Sequence, residues 1–490
     1  MHTRLAFVRL GVAPVVAALV TLAPSPGVAR AQGIPPLAGP TVRAIDALFA
    51  DHASTTSPGC AVGVYRDGAV VFAKGYGMAN LTFGIPIAPD TRFTVGSVSK
   101  QFTAASIALL VRAGRLSLDD DVRTFVPELP DYGATMRVRH LVHHTSGLRD
   151  FWELVDLAGW RFDDGYTTRD MLALAAAQRA LNNAPGAAYH YSNTGYLVLG
   201  EIVRRVTGQS LRAFADSAIF RPLGMHDSFF LDDHNEVVPR RATAYSPVKR
   251  GWAVNVWNND LVGQGGVVTT LADLQKWDEN FYSGTLGGAP LLALQRTTEP
   301  LANGAPNDYA FGITMGRYRA QPLEEHTGAT GGYRAALYRF PAVHTTVTLL
   351  CNASDVRNEV LPLRIADLVI GGRLGPRAAA RAPAPASADH AAPEPGQPAE
   401  TASRVGRYAS AELLGAVWEI AQGPTAGQLV VRRARGDTLA LSATGPNTFV
   451  AAAGGPTLLF DDRASVTTAA GFTVTQGAIA GIRFSRVAPR

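Results

Sequence analysis

The 490-residue sequence predicts an α+β fold, a sheet with helices packed on it, followed by a small all-β sheet or barrel. Three observations carry this. Separate stretches of helical periodicity recur up to Phe281 and strand-like runs gather after Tyr309. An Ala/Pro-rich stretch, 374–403, reads as an extended linker. Beyond it short alternating strands recur between Gly turns: Leu429-Val430-Val431, Thr438-Leu439-Ala440-Leu441, Leu458-Leu459-Phe460 and Ile482-Arg483-Phe484.

With 47% hydrophobic and 17% charged residues, the chain is globular and long enough for two or three units. Residues 1–31 have the form of a secretory signal: Arg4 and Arg9, an apolar run from Leu10 to Leu22, then Ala29-Arg30-Ala31. A mature chain is expected to begin near Gln32, with no membrane span, since that run is short for a bilayer needing ~20 residues. The expected location is therefore secreted or periplasmic. Loss of Arg4, Arg9 and Arg30 lowers a formal charge of +5 to about +2, and no basic tract or phosphate-cradling loop is present. Nucleic-acid binding has no support.

Along the chain, 41–53 has helical periodicity, and 59–65 and 69–74 are apolar runs joined by Arg66-Asp67-Gly68, a hairpin pattern. Gly96 bends the chain into a helix that carries no charge from Gln101 to Val111 and stops at Arg112 and Gly114. A helix apolar on every face belongs in an interior. Further helices are expected at 168–181, 194–206, 210–219, 271–281 and 356–370, and strands at 309–318, 335–340 and 345–350.

Asp119-Asp120-Asp121 reads as a solvated turn, not a calcium loop. His140, His143 and His144 lack the nearby Glu of a zinc hydrolase and read as a structural loop. No metal and no cofactor is expected.

Ser97 and Lys100 carry the chemistry. Three residues apart at a helix start, they lie one above the other, with Cβ atoms ~5–6 Å apart. The first turn offers free N–H groups and the positive dipole end to a developing alkoxide, and burial lowers the pKa of an amine. Only four of the 45 basic residues are Lys, and Lys, unlike Arg, can lose its proton. Chance supplies about 0.2 Ser-x-x-Lys matches in such a composition. Two occur, and the second, Ser246 to Lys249, has no apolar helix behind it. The pair reads as an activated nucleophile.

Tyr189-His190-Tyr191-Ser192-Asn193 puts a phenol and an amide just before a helix, where a phenol near cations can have its pKa lowered and act as base or acid. Glu325-His326-Thr327-Gly328-Ala329 is a Gly-containing strand edge that lets a substrate reach backbone N–H groups.

In this order, Ser97-x-x-Lys100, Tyr191-x-Asn193 and His326-Thr327-Gly328 resemble the serine β-lactamase and penicillin-binding-protein superfamily. The Tyr-x-Asn form is similar to class C β-lactamases and their esterase and D-aminopeptidase relatives. The likeness extends from Ile45 to Gly371, with His144 to Leu148 and Gly263 to Gly266 resembling family loops.

Between the signal segment (1–31) and the linker, the resemblance implies a hydrolase domain (32–373) with an antiparallel sheet beside an all-helical subdomain, and after the linker an appended β-barrel module (404–490) whose partner is unknown. It implies Ser97 as nucleophile, Lys100 and Tyr191 sharing the base, and N–H groups of Ser97 and Ala329 as oxyanion hole. Asn193 would orient the substrate and Lys100, and His326, Thr327 and Gly328 would contact the substrate or polarise the cleft. Where the family's class C enzymes carry Lys, this chain has His326, charged only part of the time near neutral pH. An ester or a D-amino-acid peptide is therefore the expected substrate ahead of a β-lactam. The alternative is a non-catalytic, penicillin-binding-like sensor of the cell envelope. The resemblance also places Cys60 and Cys351 on neighbouring strands, as a disulfide or as two separately buried thiols.

Overall fold

The structure is a computed structural model that describes residues 34–376, 401–434, 436–452, 455–461 and 469–488. The proposed signal segment and residues 377–400 of the linker lie outside the described residues. No helix among the described residues is long and apolar enough to cross a membrane.

Six antiparallel strands form the central sheet, in the spatial order Thr314–Tyr318, Gln321–Thr330, Tyr333–Phe340, Thr345–Cys351, Cys60–Arg66 and Ala69–Tyr76. The hairpin Cys60–Arg66/Ala69–Tyr76 turns on Asp67 and Gly68, both at positive φ, as such two-residue connections require. It joins the sheet beside the late strand Thr345–Cys351, whose seven residues are all buried. The register sets Cys60 opposite Cys351, and the two form a disulfide.

Helices cover this sheet and build a helical region beside it. The Lys100–Arg112 helix is buried on nearly every face, and Phe102 packs against Trp277 of the Leu271–Ser283 helix, ring centroids 4.6 Å apart. Helices also form at Thr168–Ala176, Asn193–Thr207 and Leu361–Ile370.

Several expected elements are shorter than their pattern. The strand expected over 309–318 begins at Thr314 because Ala310 N bonds Ile313 O in a turn and Gly312 sits at φ +73°. A Cβ on Gly312 would come within 2.6 Å of the Gln101 backbone, so that turn is pressed against the start of the buried helix. The helix expected from 356 begins at Leu361, with Pro362 in its first turn where a missing N–H costs nothing. The helix expected over 168–181 ends at Ala176, and the Gln178 amide bonds Leu174 O and Glu412 O.

Eight strands between Gly406 and Val487 close into a barrel. Its core does not end at its own wall. Barrel residues Trp418, Leu413 and Phe484 share one apolar cluster with Phe151, Leu154 and Leu157 of the Phe151–Ala158 helix. Trp418 Nε1 donates to Leu157 O at 2.8 Å, and Gln476 to Asp156 at 2.9 Å. At the centre Arg149 donates to Glu412 at 2.9 Å, with side chains only 2% and 3% exposed. Arg149 also donates to Gln178 Oε1 and to Ala480 O.

Removing one partner of a buried ion pair strands the other charge, at a cost of about 3–5 kcal/mol. Glu412→Ala is therefore expected to lower unfolding stability by that amount in a denaturant titration, and pairing it with Arg149→Met to recover most of the loss.

Candidate active site

Ser97 lies in a short 3₁₀ turn, Gly96–Ser99, that leads into the Lys100–Arg112 helix. In such a turn residues i and i+3 eclipse, which sets Lys100 Nζ 3.1 Å from Ser97 Oγ. Gly96 has φ +50° and Gly328 is the strand residue facing this turn. A Cβ on Gly328 would lie 2.0 Å from Val95 O and 3.1 Å from Ser97 N, so only glycine lets the strand approach so closely. Ser97 is partly exposed while Gly96, Val98, Ser99 and Lys100 are buried.

The Lys100 amine meets two further oxygens, Asn193 Oδ1 at 2.8 Å and Gln264 O at 2.7 Å. Both are acceptors only, so a neutral amine spends its two N–H bonds on them and turns its lone pair to the Ser97 hydroxyl. Burial brings the Lys100 pKa down to about 7, against a smaller opposing pull from Asp150.

Asn193 opens the Asn193–Thr207 helix, whose N-cap Ser192 accepts from Gly195 N. Asp150 fixes it from below: Oδ2 accepts from Asn193 N at 2.5 Å and Oδ1 from Trp152 N at 2.8 Å. Asp150 adjoins the Arg149 held by the barrel, so contacts run from Glu412 to Lys100 through three residues, Arg149, Asp150 and Asn193. Asp150, the Gln264 carbonyl and this support were not in the sequence reading. A backbone oxygen has no sequence signature; Asp150 had one faint cue, an acid two residues after the family-like loop His144 to Leu148.

Tyr191 places its ring over Lys100 Nζ at 4.7 Å. The lowered phenol pKa expected from nearby cations is not what the structure gives. Tyr191 keeps 36% of its surface exposed, yet the protein packed round its hydroxyl pushes its pKa up, and Tyr189 and Asp150 add to the rise. Tyr191 is a proton donor here, not a ready phenolate.

His326 is also corrected. It is 6% exposed, its Nε2 lies 2.9 Å from the Tyr309 hydroxyl, and its Nδ1 2.5 Å from Thr327 O. Burial, with Lys100 second, brings its pKa down to about 4, so near neutral pH it is uncharged. It packs behind Tyr191, ring centroids 6.3 Å apart. Thr327 and Gly328 continue the strand past Ser97, and Ala329 is exposed at its end.

A cavity of about 160 Å³ opens beside Ser97 and is lined also by Asn193, Gln264, Ala329, Trp152 and Arg241. Tyr191 and His326 do not line it.

The family model described as β-lactamase matches residues 44–370. The chain belongs to the β-lactamase family. Among relatives of this β-lactamase-family chain, a D-aminopeptidase of Gluconobacter oxydans is 30% identical over 309 residues, 62% of this chain and 58% of the relative. A D-aminopeptidase of Brucella anthropi is 28% identical over 63% of this chain and 59% of its own length. The chain thus spans less than two thirds of the curated relatives it matches. The octameric penicillin-binding protein homologue from Pyrococcus abyssi shares the fold over 90% of this chain and 99% of its own, with TM-score 0.60 and 22% identity. D-amino acid amidase from Ochrobactrum anthropi, complexed with L-phenylalanine, aligns with TM-score 0.57 and 25% identity over 68% of this chain and 98% of its own.

The histidine loop of this family member is structural. His140 Nδ1 accepts from Arg137 N, His143 Nδ1 lies 2.8 Å from Tyr309 O, and His144 Nδ1 accepts from Ser192 N. Asp121 caps a short helix, and Asp120 accepts from Ser117 N. Among the described residues, Asp233, His234 and Asp260 bring three potential metal ligands within 4.8 Å of one another. His234 there bonds Asp260 through both its backbone N–H and its ring.

With the Lys100 pKa near 7, its free amine fills in as pH rises. The rate at which a fluorophosphonate labels Ser97 is expected to climb through about pH 7 and level off above it. Lys100→Arg, which cannot shed its proton, should flatten that profile at a rate about 10²-fold lower or less.

Proposed function

We propose that the chain is an exported serine hydrolase that cleaves amides or peptides of D-amino acids, and related esters, through an acyl-enzyme on Ser97. The observation that carries this is the buried Lys100 amine aimed at the Ser97 hydroxyl by two fixed acceptors. The names of the relatives, D-aminopeptidase and D-amino acid amidase, supply the substrate class.

Lys100 takes the Ser97 proton as Oγ adds to the carbonyl carbon. The oxyanion is held by the N–H groups of Ser97 and Ala329, a site of which one donor is worth ~10²–10³ in rate. Tyr191, its proton retained by the protein packed round its hydroxyl, passes it to the departing nitrogen or oxygen and is recharged from Lys100. Water then attacks the acyl carbon with the same groups reversed. Asn193 holds Lys100 and faces the substrate; His326, Thr327 and Gly328 fix the strand that carries Ala329. His326 is neutral and offers no counter-charge, which supports amide or ester substrates over β-lactams. Export rests on the form of residues 1–31 and agrees with the Cys60–Cys351 disulfide.

Purified mature protein should cleave D-phenylalanine amide in preference to its L-enantiomer and to a chromogenic cephalosporin. Ser97→Ala should lose about 10⁴-fold or more in kcat. A wild-type protein that is folded yet takes no fluorophosphonate adduct would return the reading to a binding protein. N-terminal sequencing of protein from the native host is expected to begin near Gln32, and a retained Met1 would overturn export.

A further inference from the structure

We infer that the cavity beside Ser97 receives the acyl part of the substrate, and that the acyl part it favours is one with an acidic side chain, whose carboxylate is held by Arg241. The inference rests on the reading of Ser97 as nucleophile.

The direction of the substrate comes first. A leaving group must sit beside its proton donor. Tyr191 lies against Lys100, its ring centre 4.7 Å from Nζ, and does not line the cavity, whereas Asn193, Gln264 and Ala329 do. The leaving group therefore lies on the Tyr191 side, and the retained acyl group fills the cavity.

Arg241 stands in that cavity wall without a counter-ion. Its neighbour Arg240 pairs with Asp90 and Asp227, Arg92 with Asp227, and Arg212 with Asp232 and Glu236. Among the described residues Arg241 forms no ion pair. Its polar neighbours are uncharged hydroxyls, Thr94 Oγ1 at 3.4 Å and the Tyr333 phenol, whose ring centre lies 5.8 Å from its Cζ, and its buried Nε has no partner. No Asp or Glu lines the cavity, and His234 on the same wall already has Asp260 at 2.8 Å.

Arginine keeps its charge at any working pH, and its planar fork matches a carboxylate through two parallel N–H bonds. A space of about 160 Å³ walled by Trp152 and Trp257 suits a short acyl chain. Gln264, on the same wall, keeps a buried Oε1 without a partner, an acceptor for an N–H on that chain.

The test compares p-nitrophenyl hydrogen glutarate with p-nitrophenyl methyl glutarate, which differ in one charge, and reads the ratio of their kcat/KM values. Wild type should favour the acid by about tenfold or more, the worth of a charged hydrogen bond. Arg241→Gln should bring the ratio close to one, and Arg241→Lys should leave it in between. Because a ratio is read, a general loss of activity in a variant does not decide the matter. If Arg241→Gln is too inactive to measure, the Arg241→Lys ratio decides: a fall supports the inference and a wild-type value overturns it. A wild-type ratio near one, or one that survives Arg241→Gln, overturns the inference while turnover of the methyl ester leaves the hydrolase reading standing. If neither ester is cleaved and Ser97 takes no label, the hydrolase reading fails, and this inference with it.

Discussion

The structure depends on hiding one amine. Lys100 is enclosed by the apolar helix that follows it and by the helices packed around it, and its nitrogen meets three oxygens from three separate parts of the chain. Withdrawal from water, more than any neighbouring charge, sets its protonation. Each oxygen is in turn fixed by something distant: Ser97 by the turn at Gly96, Asn193 by Asp150, and Gln264 by a loop bounded by Gly263 and Gly266 at positive φ. The site is thus a meeting point of the sheet and the helical region.

The barrel enters the same arrangement from behind. Its apolar interior runs on into the helix that begins directly after Asp150, and the Arg149–Glu412 pair is sealed at that junction. Such a pair gains little over an apolar contact but tolerates no misalignment, which makes it suited to fixing position. Trp152 rides on the same helix and forms a cavity wall, so the barrel bears on both the base and the substrate pocket.

What the sequence disclosed was local. Ser97 and Lys100 are three residues apart and Tyr191 and Asn193 two, so each pair could be read as a unit, and the helices and strands around them follow from periodicity. What stayed hidden was assembled across long separations. Gln264 contributes a carbonyl, Asp150 acts through a backbone N–H, and Glu412 reaches back 263 residues to Arg149. The titration of Tyr191 and His326 was misjudged because charge neighbours can be guessed from sequence, whereas desolvation by the surrounding protein, the larger effect at both, cannot.

The bond between Cys60 and Cys351 spans a sequence separation of 291 residues in the middle of the sheet. A ribosome releases the first hairpin long before the strand it must lie against exists. Until residue 351 emerges, the edge of Cys60–Arg66 stays bare, in a topology whose decisive contact is among the most distant in the chain. Non-local pairing of this kind slows folding and exposes unpaired strand edges to other chains. The covalent link therefore joins the first and the last strand, in chain order, of the hydrolase sheet, a closure that needs the whole of the chain between them to have been made.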